Sequence, residues 1–530
     1  MNNYNYLFIN FKKKQSYENL LNSSKETFRI TKFNNYYSNI NLSENITFGV
    51  NKNLIIEKKY DNLTFINDNI SSIPIFYYNH EDLIIISSHL YKIIDILKLF
   101  NIKINLNINS CSEMMLSSYI FTRGSTLIDK IYRLKPNHQL ILNTKNCTID
   151  KKRIKSDFYY DNKNILSWND AKDNFSDNII SGLGKYREKK VGIMLSGGAD
   201  SRIIATLASK TKNLNYEFIT FGQSYVNNSD FKIALNLSKY FNKNIKLFTT
   251  SSLNFKNNWM KFSKKSNWTD MWHLFRLPDE FFDQLSEYDV ILRGDGDGIY
   301  GWKNLAVDLS DILHLLEISP IESLIKDATW FVDPQKVFSG GQYSREKIIE
   351  KYDHKKNNLT ALKNIMYQKF REYGCIAPNL WFLSNWGYFD APLLWSQNVN
   401  LAQKLPENKR IDKALIFDTL SKHNINIPYS SGPSWDDNLE NWSIGLTREL
   451  IEYSFQWSPW EINIDNALNS LNKPSSFENK KNNTFKFLNN SSIARNYVSK
   501  FNRSIYNNSF SKRGLIRLSI ISNLNEYISK

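Results

Sequence analysis

The stretch Val191–Lys210, VGIMLSGGADSRIIATLASK, decides how the chain reads. A short apolar run, Val191 to Leu195, follows Lys189 and Lys190. The chain then turns through Ser196-Gly197-Gly198-Ala199-Asp200-Ser201 and continues with Ile203, Ile204 and Leu207 at helical spacing. This is a buried strand, a glycine turn and a helix start. Two glycines let the backbone turn sharply and come close to a ligand. The N–H groups of a helix N-terminus, with the hydroxyls of Ser196 and Ser201, suit a phosphate or pyrophosphate. Asp200 would repel a bare anion, so it argues for a bridging cation such as Mg²⁺. A P-loop would end in Gly-Lys-Ser/Thr, which is missing from the stretch.

The motif SGGADS resembles the SGGxDS pyrophosphate loop of the ATP-pyrophosphatases, in their asparagine synthetase and β-lactam synthetase branch, which includes the lasso-peptide macrolactam cyclases. The bland alternative is an ordinary glycine-rich turn in another α/β protein. A second stretch weighs against it: Val290-Ile291-Leu292-Arg293-Gly294-Asp295-Gly296-Asp297-Gly298-Ile299-Tyr300-Gly301. An apolar strand here ends in a glycine loop with two carboxylates at i, i+2, able to hold a hard cation. It is similar to the branch's "sGeGgDElfgGy" loop, with one residue fewer. The resemblance implies that Asp297 is a metal ligand paired with Asp200. It sets Asp295 beside the acceptor nucleophile, with Tyr300 nearby, and Gly294 and Gly296 against the nucleotide. The family's following Glu is replaced by Gly298, which points away from ordinary asparagine synthesis.

Around these loops, strands Tyr216–Phe221 and Ile245–Phe248 alternate with helices Trp168–Tyr186 and Ser229–Phe241. That alternation argues for a parallel, doubly wound sheet. Ligands of such sheets lie beyond the carboxyl ends of the strands, making Thr220, Phe221 and Gly222 candidates for contact with adenine. Residues 156–530 are therefore expected to form an ATP-pyrophosphatase domain with many helices. Helical spacing marks Asp308–Leu316, Ile321–Ala328, Arg345–Tyr352, Leu359–Glu372 and Lys413–Lys422. The tryptophans and tyrosines from Trp381 to Trp442 read mainly as core. Phe389-Asp390-Ala391-Pro392-Leu393 and Lys409-Arg410-Ile411-Asp412-Lys413 resemble the branch's "PFLD…K.lLR" run. The family's lysine in a later "R.K.g" loop has no counterpart in Ile427–Trp435, so Lys409, Arg410 or Lys413 must substitute, or the chemistry is altered or lost.

Residues 1–155 read as short strands between polar turns: Tyr6–Ile9, Leu54–Glu57, Ile75–Tyr78, Leu83–Ser87 and Gln139–Asn143, with a helix at Leu90–Leu99. Their order resembles the glutaminase-like domain of asparagine synthetases, which implies an Ntn-hydrolase-like α/β/β/α sandwich. Such a glutaminase needs a cysteine as residue 1 after Met removal. Asn2 and Asn3 stand there and the first cysteine is Cys111, so the expected domain is degenerate and hydrolyses no glutamine.

The 530 residues allow several domains, and 42% hydrophobic residues make the chain globular. The net charge of +16 reads as biased lysine usage rather than as a nucleic-acid surface, since no nucleic-acid motif is present. Three scattered cysteines indicate neither a disulfide framework nor zinc. With no signal peptide and no apolar run of membrane length, a soluble cytoplasmic protein is expected. Beyond Pro474 the composition turns basic with interleaved aromatics, and reads as a mobile tail, a surface for an acidic peptide or carrier, or a solvated helical end.

The resemblance implies an ATP- and Mg²⁺-dependent ligase that adenylates a small-molecule or peptide carboxylate and couples it to an amine. The expected partners are a precursor peptide or a peptidase, as for a macrolactam or β-lactam-like cyclase. Two alternatives stand beside it: an ammonia-dependent amidating enzyme of the asparagine synthetase kind, and a non-catalytic nucleotide-binding scaffold.

Overall fold

The computed structural model describes residues 54–80, 83–154, 163–222, 230–301, 330–429, 444–467 and 510–530, with short pieces between them. In the first fifty residues it describes four strands only. The molecule is a mixed α/β protein, and its described residues form three sheets.

Two sheets are antiparallel. The first has the order β2 (Thr31–Phe33), β3 (Tyr36–Ser38), β1 (Leu7–Phe11), β8 (Leu83–Ser87), β7 (Phe76–His80), β9 (Ile131–Arg133). The second runs β11 (Thr148–Arg153), β10 (His138–Asn143), β6 (Asn62–Asn67), β5 (Leu54–Lys59), β4 (Ile46–Phe48). Side chains alternate across a strand, and β7 and β8 use both faces. Tyr77, Ile84 and Ile86 join Leu54, Ile56, Leu63, Phe65, Leu140 and Leu142 in a core between the sheets. Phe76, Tyr78, Leu83 and Ile85 face the other way, into the core that holds Ile93, Ile94 and Leu97 of the helix Leu90–Leu99. Burial on both faces explains the unbroken apolar run LIIIS of β8. The second sheet alternates between buried and half-exposed positions, as in β5 and β6. Helix, sheet and sheet are the layers seen among the described residues.

The third sheet is parallel throughout, in the order β14 (Ile245–Thr249), β13 (Tyr216–Gly222), β12 (Val191–Met194), β15 (Val290–Leu292), β16 (Phe389–Asp390). β12 lies between two partners, with Val191 opposite both Tyr216 and Val290. It is therefore wholly apolar, with Val191, Gly192 and Ile193 buried. The chain moves outward from β12 through β13 to β14, then returns to the opposite side of β12 at β15. The order thus reverses between β12 and β15, and the crevice beyond the ends of these two strands is where such sheets bind ligands.

The expected helices at Leu90–Leu99 and Trp168–Leu183 are present, the second continued by a 3-10 turn to Tyr186. The run expected to be helical over 359–372 is α-helical only from Leu359 to Met366, then π-helical over Tyr367–Ile376. Of Ile321–Ala328 only Ile321, Leu324 and Ala328 are described, and the segment 468–509 lies outside the described residues. The end of the chain departs from the reading of a tail or solvated end. Phe510–Ser529 is a helix with Leu515, Ile516, Leu518, Ile520, Ile521 and Leu524 fully buried. Its Arg517 is buried too, 3.5 Å from Asp270, and donates to the Met115 carbonyl. Among the described residues, no helix is long and apolar enough to cross a membrane.

Candidate functional site

The loop after β12 folds on itself before the helix Ala199–Lys210 begins. The Ser196 N–H donates to the Ser201 hydroxyl at 2.9 Å, and the two serine hydroxyls lie 2.9 Å apart. The Gly198 N–H donates to the Ser196 hydroxyl at 3.2 Å. Gly198 is the N-cap and carries no capping side chain, so no side chain closes the helix terminus. The Gly197 N–H donates to the carboxylate of Asp230, the first residue of the helix Asp230–Tyr240, at 2.9 Å.

The loop after β15 meets this one backbone to backbone. A methyl group on Gly294 would lie 2.6 Å from both the carbonyl carbon of Asp200 and the amide nitrogen of Ser201. Only a residue without Cβ permits that approach. Gly296 has φ +103°, in the left-handed region, and sends the chain into the 3-10 turn Asp297–Tyr300. The Asp295 carboxylate lies 2.8 Å from the Arg293 guanidinium, and both are largely buried. The side chain of Asp297 lies outside the described residues.

A third segment, remote in sequence, completes the site. The Lys413 N–H donates to the Gly301 carbonyl at 2.7 Å. The Lys413 ammonium reaches Asp200 Oδ2 at 2.7 Å, each side chain about one-fifth exposed. Asp412 and Lys413 both have positive φ, 44° and 56°. Two such non-glycine residues in succession carry backbone strain, of the kind that clusters at ligand sites. The structure thus gathers Ser196, Gly197, Gly198, Asp200, Ser201, Gly294, Gly296 and Lys413. Thr220 and Phe221 stand at the end of the neighbouring strand β13, and Gly222 closes that strand. Thr220 is buried, and Phe221 packs edge-on against Phe281.

Two expected residues are placed elsewhere. Tyr300 is fully buried: its hydroxyl donates to the Leu393 carbonyl at 2.7 Å and its ring meets Phe175 edge-on. Burial first, then the charge of Glu372, pushes its phenol well above the ordinary range. A phenol held in this way does not exchange protons with a substrate amine. The Lys409 ammonium lies over the Trp168 ring, 4.9 Å from its centre. Arg410 is buried, donates to the Leu405 carbonyl and stacks on Tyr160. Of the three cations considered as a substitute, only Lys413 reaches the glycine loops.

Two residues went unnoticed in the sequence. Arg202, buried one turn into the helix, donates to the carbonyls of Ile427 and Pro428 at 2.7 and 2.8 Å and lies over the Tyr429 ring. Its other contact is the Gly197 carbonyl, at 3.5 Å. It therefore ties the first loop to the start of the segment where the family's lysine loop would stand; residues 430–435 of that segment lie outside the described residues. Asp230 was hidden because an acid in a first helical turn is common. An arginine among Ile203, Ile204 and Leu207 carries no signal of its own.

The donor set fits a magnesium nucleotide. Uncapped helix N–H groups and two hydroxyls are donors of the kind that suit an anion, and Asp200 offers a carboxylate beside them. Among the described residues no three His, Cys, Asp or Glu side chains are gathered to hold a metal without help. Mg²⁺ is commonly held by one or two carboxylates plus phosphate oxygens and water.

No family model matches the chain, and no curated protein matches it. Among solved structures it is similar to the glutamine phosphoribosylpyrophosphate (PRPP) amidotransferase from B. subtilis complexed with ADP and GMP. The identity is 7%, over 37% of this chain and 47% of that one, with a TM-score of 0.13. It is also similar to a protein described as the allosteric regulatory enzyme of purine biosynthesis, at 8% identity over 37% and 46%, with a TM-score of 0.13. The chain spans about half the length of each. At that TM-score neither serves as a guide to this fold.

Proposed function

We propose that the protein is an ATP-dependent amide-forming ligase that adenylates a substrate carboxylate and couples it to an amine. The observation that carries this reading is the meeting of three remote segments at the reversal of the parallel sheet. Gly294 lies against the backbone of Asp200 and Ser201, and Lys413 is bonded to Asp200.

In this reading the substrate carboxylate attacks the α-phosphorus of ATP and pyrophosphate leaves. The Ser196 and Ser201 hydroxyls and the N–H groups of the first helical turn hold the leaving pyrophosphate. Mg²⁺, when bound, neutralises phosphate charge; Asp200 would hold it, with Asp297 as the second carboxylate. With Asp200 engaged by Mg²⁺, the Lys413 ammonium would be available to face the phosphate and the acyl oxygen. Arg293 orients the Asp295 carboxylate, the group available to take the proton of the attacking amine. The amine displaces AMP and the amide forms. The amine is ammonia or, as in a macrolactam or β-lactam-like cyclase, one carried by the substrate itself; a peptide or other natural-product precursor is the substrate class. Thr220, Phe221 and Gly222 are the candidates to border the adenine.

The test is isotope exchange between ATP and pyrophosphate. Asp200→Asn should lower exchange by about 10²-fold or more, because it removes the metal's anchoring charge. Undiminished exchange in that variant would remove Asp200, and with it this site, from the reaction.

A further inference from the structure

A cavity of about 60 Å³ lies away from the glycine loops. It sits between the helix-covered face of the first antiparallel sheet and the segments that connect β14 to β15 and β15 to β16. Phe76, Leu90 and Arg133 supply one wall, and Trp268, Tyr373 and Trp381 the other. Most of the lining is apolar, and among the described residues no acidic side chain belongs to it and Arg133 is its one charged residue.

Three of these residues carry buried polar atoms that no group of the described protein satisfies: Arg133 Nε, the Tyr373 hydroxyl and Trp381 Nε1. The Tyr373 and Trp381 side chains are each about 3% exposed. Buried polar atoms without partners are rare and costly, and three on residues that line one cavity call for an occupant. The rest of the Arg133 guanidinium is fixed by the carbonyls of Tyr373 and Ser71, at 3.0 and 2.9 Å, and it stacks on the Tyr373 ring. Asp68 is the acidic group whose charge reaches Arg133, and its own carboxylate is engaged by Ser72.

The backbone of the wall is irregular at several points. Asn267 and Trp268 both have φ +55°, and Trp268 is fully buried, an unusual conformation for so bulky a residue. Ser118 has φ +73°. Tyr373 and Gly374 belong to the π-helical stretch, and a methyl on Gly374 would lie 2.4 Å from the Tyr119 ring. Strained backbone and π-helical segments recur at binding sites.

We infer that this cavity is a binding site for a short-chain carboxylate of about propionate size. The unsatisfied groups donate: arginine and indole N–H groups cannot accept, and a phenol can donate. A carboxylate accepts only, carries the charge that Arg133 lacks in the cavity, and leaves an alkyl end for the apolar wall. Roughly 60 Å³ holds on the order of four or five water-sized groups, the number of non-hydrogen atoms in acetate or propionate. A neutral amide of the same shape would bring donors of its own against donors. This inference does not depend on the nucleotide reading, and none of its residues belongs to the glycine loops.

Calorimetric titration of the full chain with sodium propionate, at constant ionic strength and without nucleotide, tests it. Propionamide is the neutral control, and the variant Tyr373→Phe keeps the ring while removing the hydroxyl. One propionate per chain should bind with a half-point of ~1 mM or tighter, and propionamide about tenfold or more weaker. The Tyr373→Phe variant should lose about tenfold in propionate affinity, while its melting temperature without propionate should not fall. Equal binding of propionate and propionamide by the unaltered protein, or no saturable binding of either, would overturn the inference whether or not the variant folds. A variant that binds propionate like the parent would also overturn it. So would one that melts lower without ligand, as it would if water filled the cavity and bonded the hydroxyl.

Discussion

Gly294 is the residue on which the site depends most simply. A methyl group there would lie 2.6 Å from the Asp200–Ser201 peptide, where no flexible side chain can yield. Gly294→Ala should therefore push the two loops apart, at a cost of about 1–3 kcal/mol. We expect melting temperature and ATP binding to fall together, measured by calorimetry and nucleotide titration. Lys413 should behave in the opposite way. Its pair with Asp200 is partly exposed and contributes ~1 kcal/mol or less to stability. If the ammonium steadies charge in the reaction, Lys413→Met should lower AMP formation by about 10²- to 10³-fold with little change in melting temperature. A loss of stability equal to the loss of rate would make Lys413 a structural residue. The local geometry was legible: SGGADS sets the strand, the glycine turn and the helix start in consecutive residues. Lys413 was one of three equal candidates, because the choice depends on a hydrogen bond to Gly301 more than a hundred residues away.

At the scale of elements, alternation of strand and helix announced the parallel sheet, and unbroken apolar runs marked its buried strands. The short strands β2, β3, β4 and β9 went unread, since three residues carry no period. The π-helical stretch Tyr367–Ile376 also went unread: its apolar spacing matches an α-helix, and its altered hydrogen bonding depends on what packs against it. The terminal helix was misread because lysines and arginines before it dominate the composition. Arg517 is charged in sequence yet buried in structure, beside an Asp270 that no local pattern connects to it. A prediction at this scale concerns the helix Leu359–Met366, which lies next to the Asp412–Lys413 turn. Its Lys363 is buried, and loss of hydration pushes its pKa down to about 8, against an opposing pull from Asp412. Between about pH 8 and 10 the unfolded chain then binds the proton that the folded one lacks, so this group makes stability rise with pH through that window. Below it, holding the charge in the fold is a cost. Lys363→Met should raise stability at pH 7 by about 1–3 kcal/mol, and the gain should shrink towards pH 10. Thermal melts of both proteins across that range check the sign; a gain that grows with pH would contradict it.

For the whole molecule, two antiparallel sheets with a shared core stand beside a parallel sheet whose order reverses at the candidate site. The parallel sheet has the chain reversal that ligand-binding α/β proteins use. The substrate was not legible. Its recognition depends on surfaces brought together by folding, and the segment 430–443 that follows the Arg202-bound carbonyls lies outside the described residues. The central claim is adenylation, and the most direct measurement is the fate of ATP. The purified chain would be incubated with Mg²⁺ and α-labelled ATP, with a panel of carboxylate and peptide substrates, and the labelled products separated. The account predicts labelled AMP, formed in step with pyrophosphate and only when a carboxylate is present. Labelled ADP as the product, or measurable ATP binding with no AMP across the panel, would contradict it.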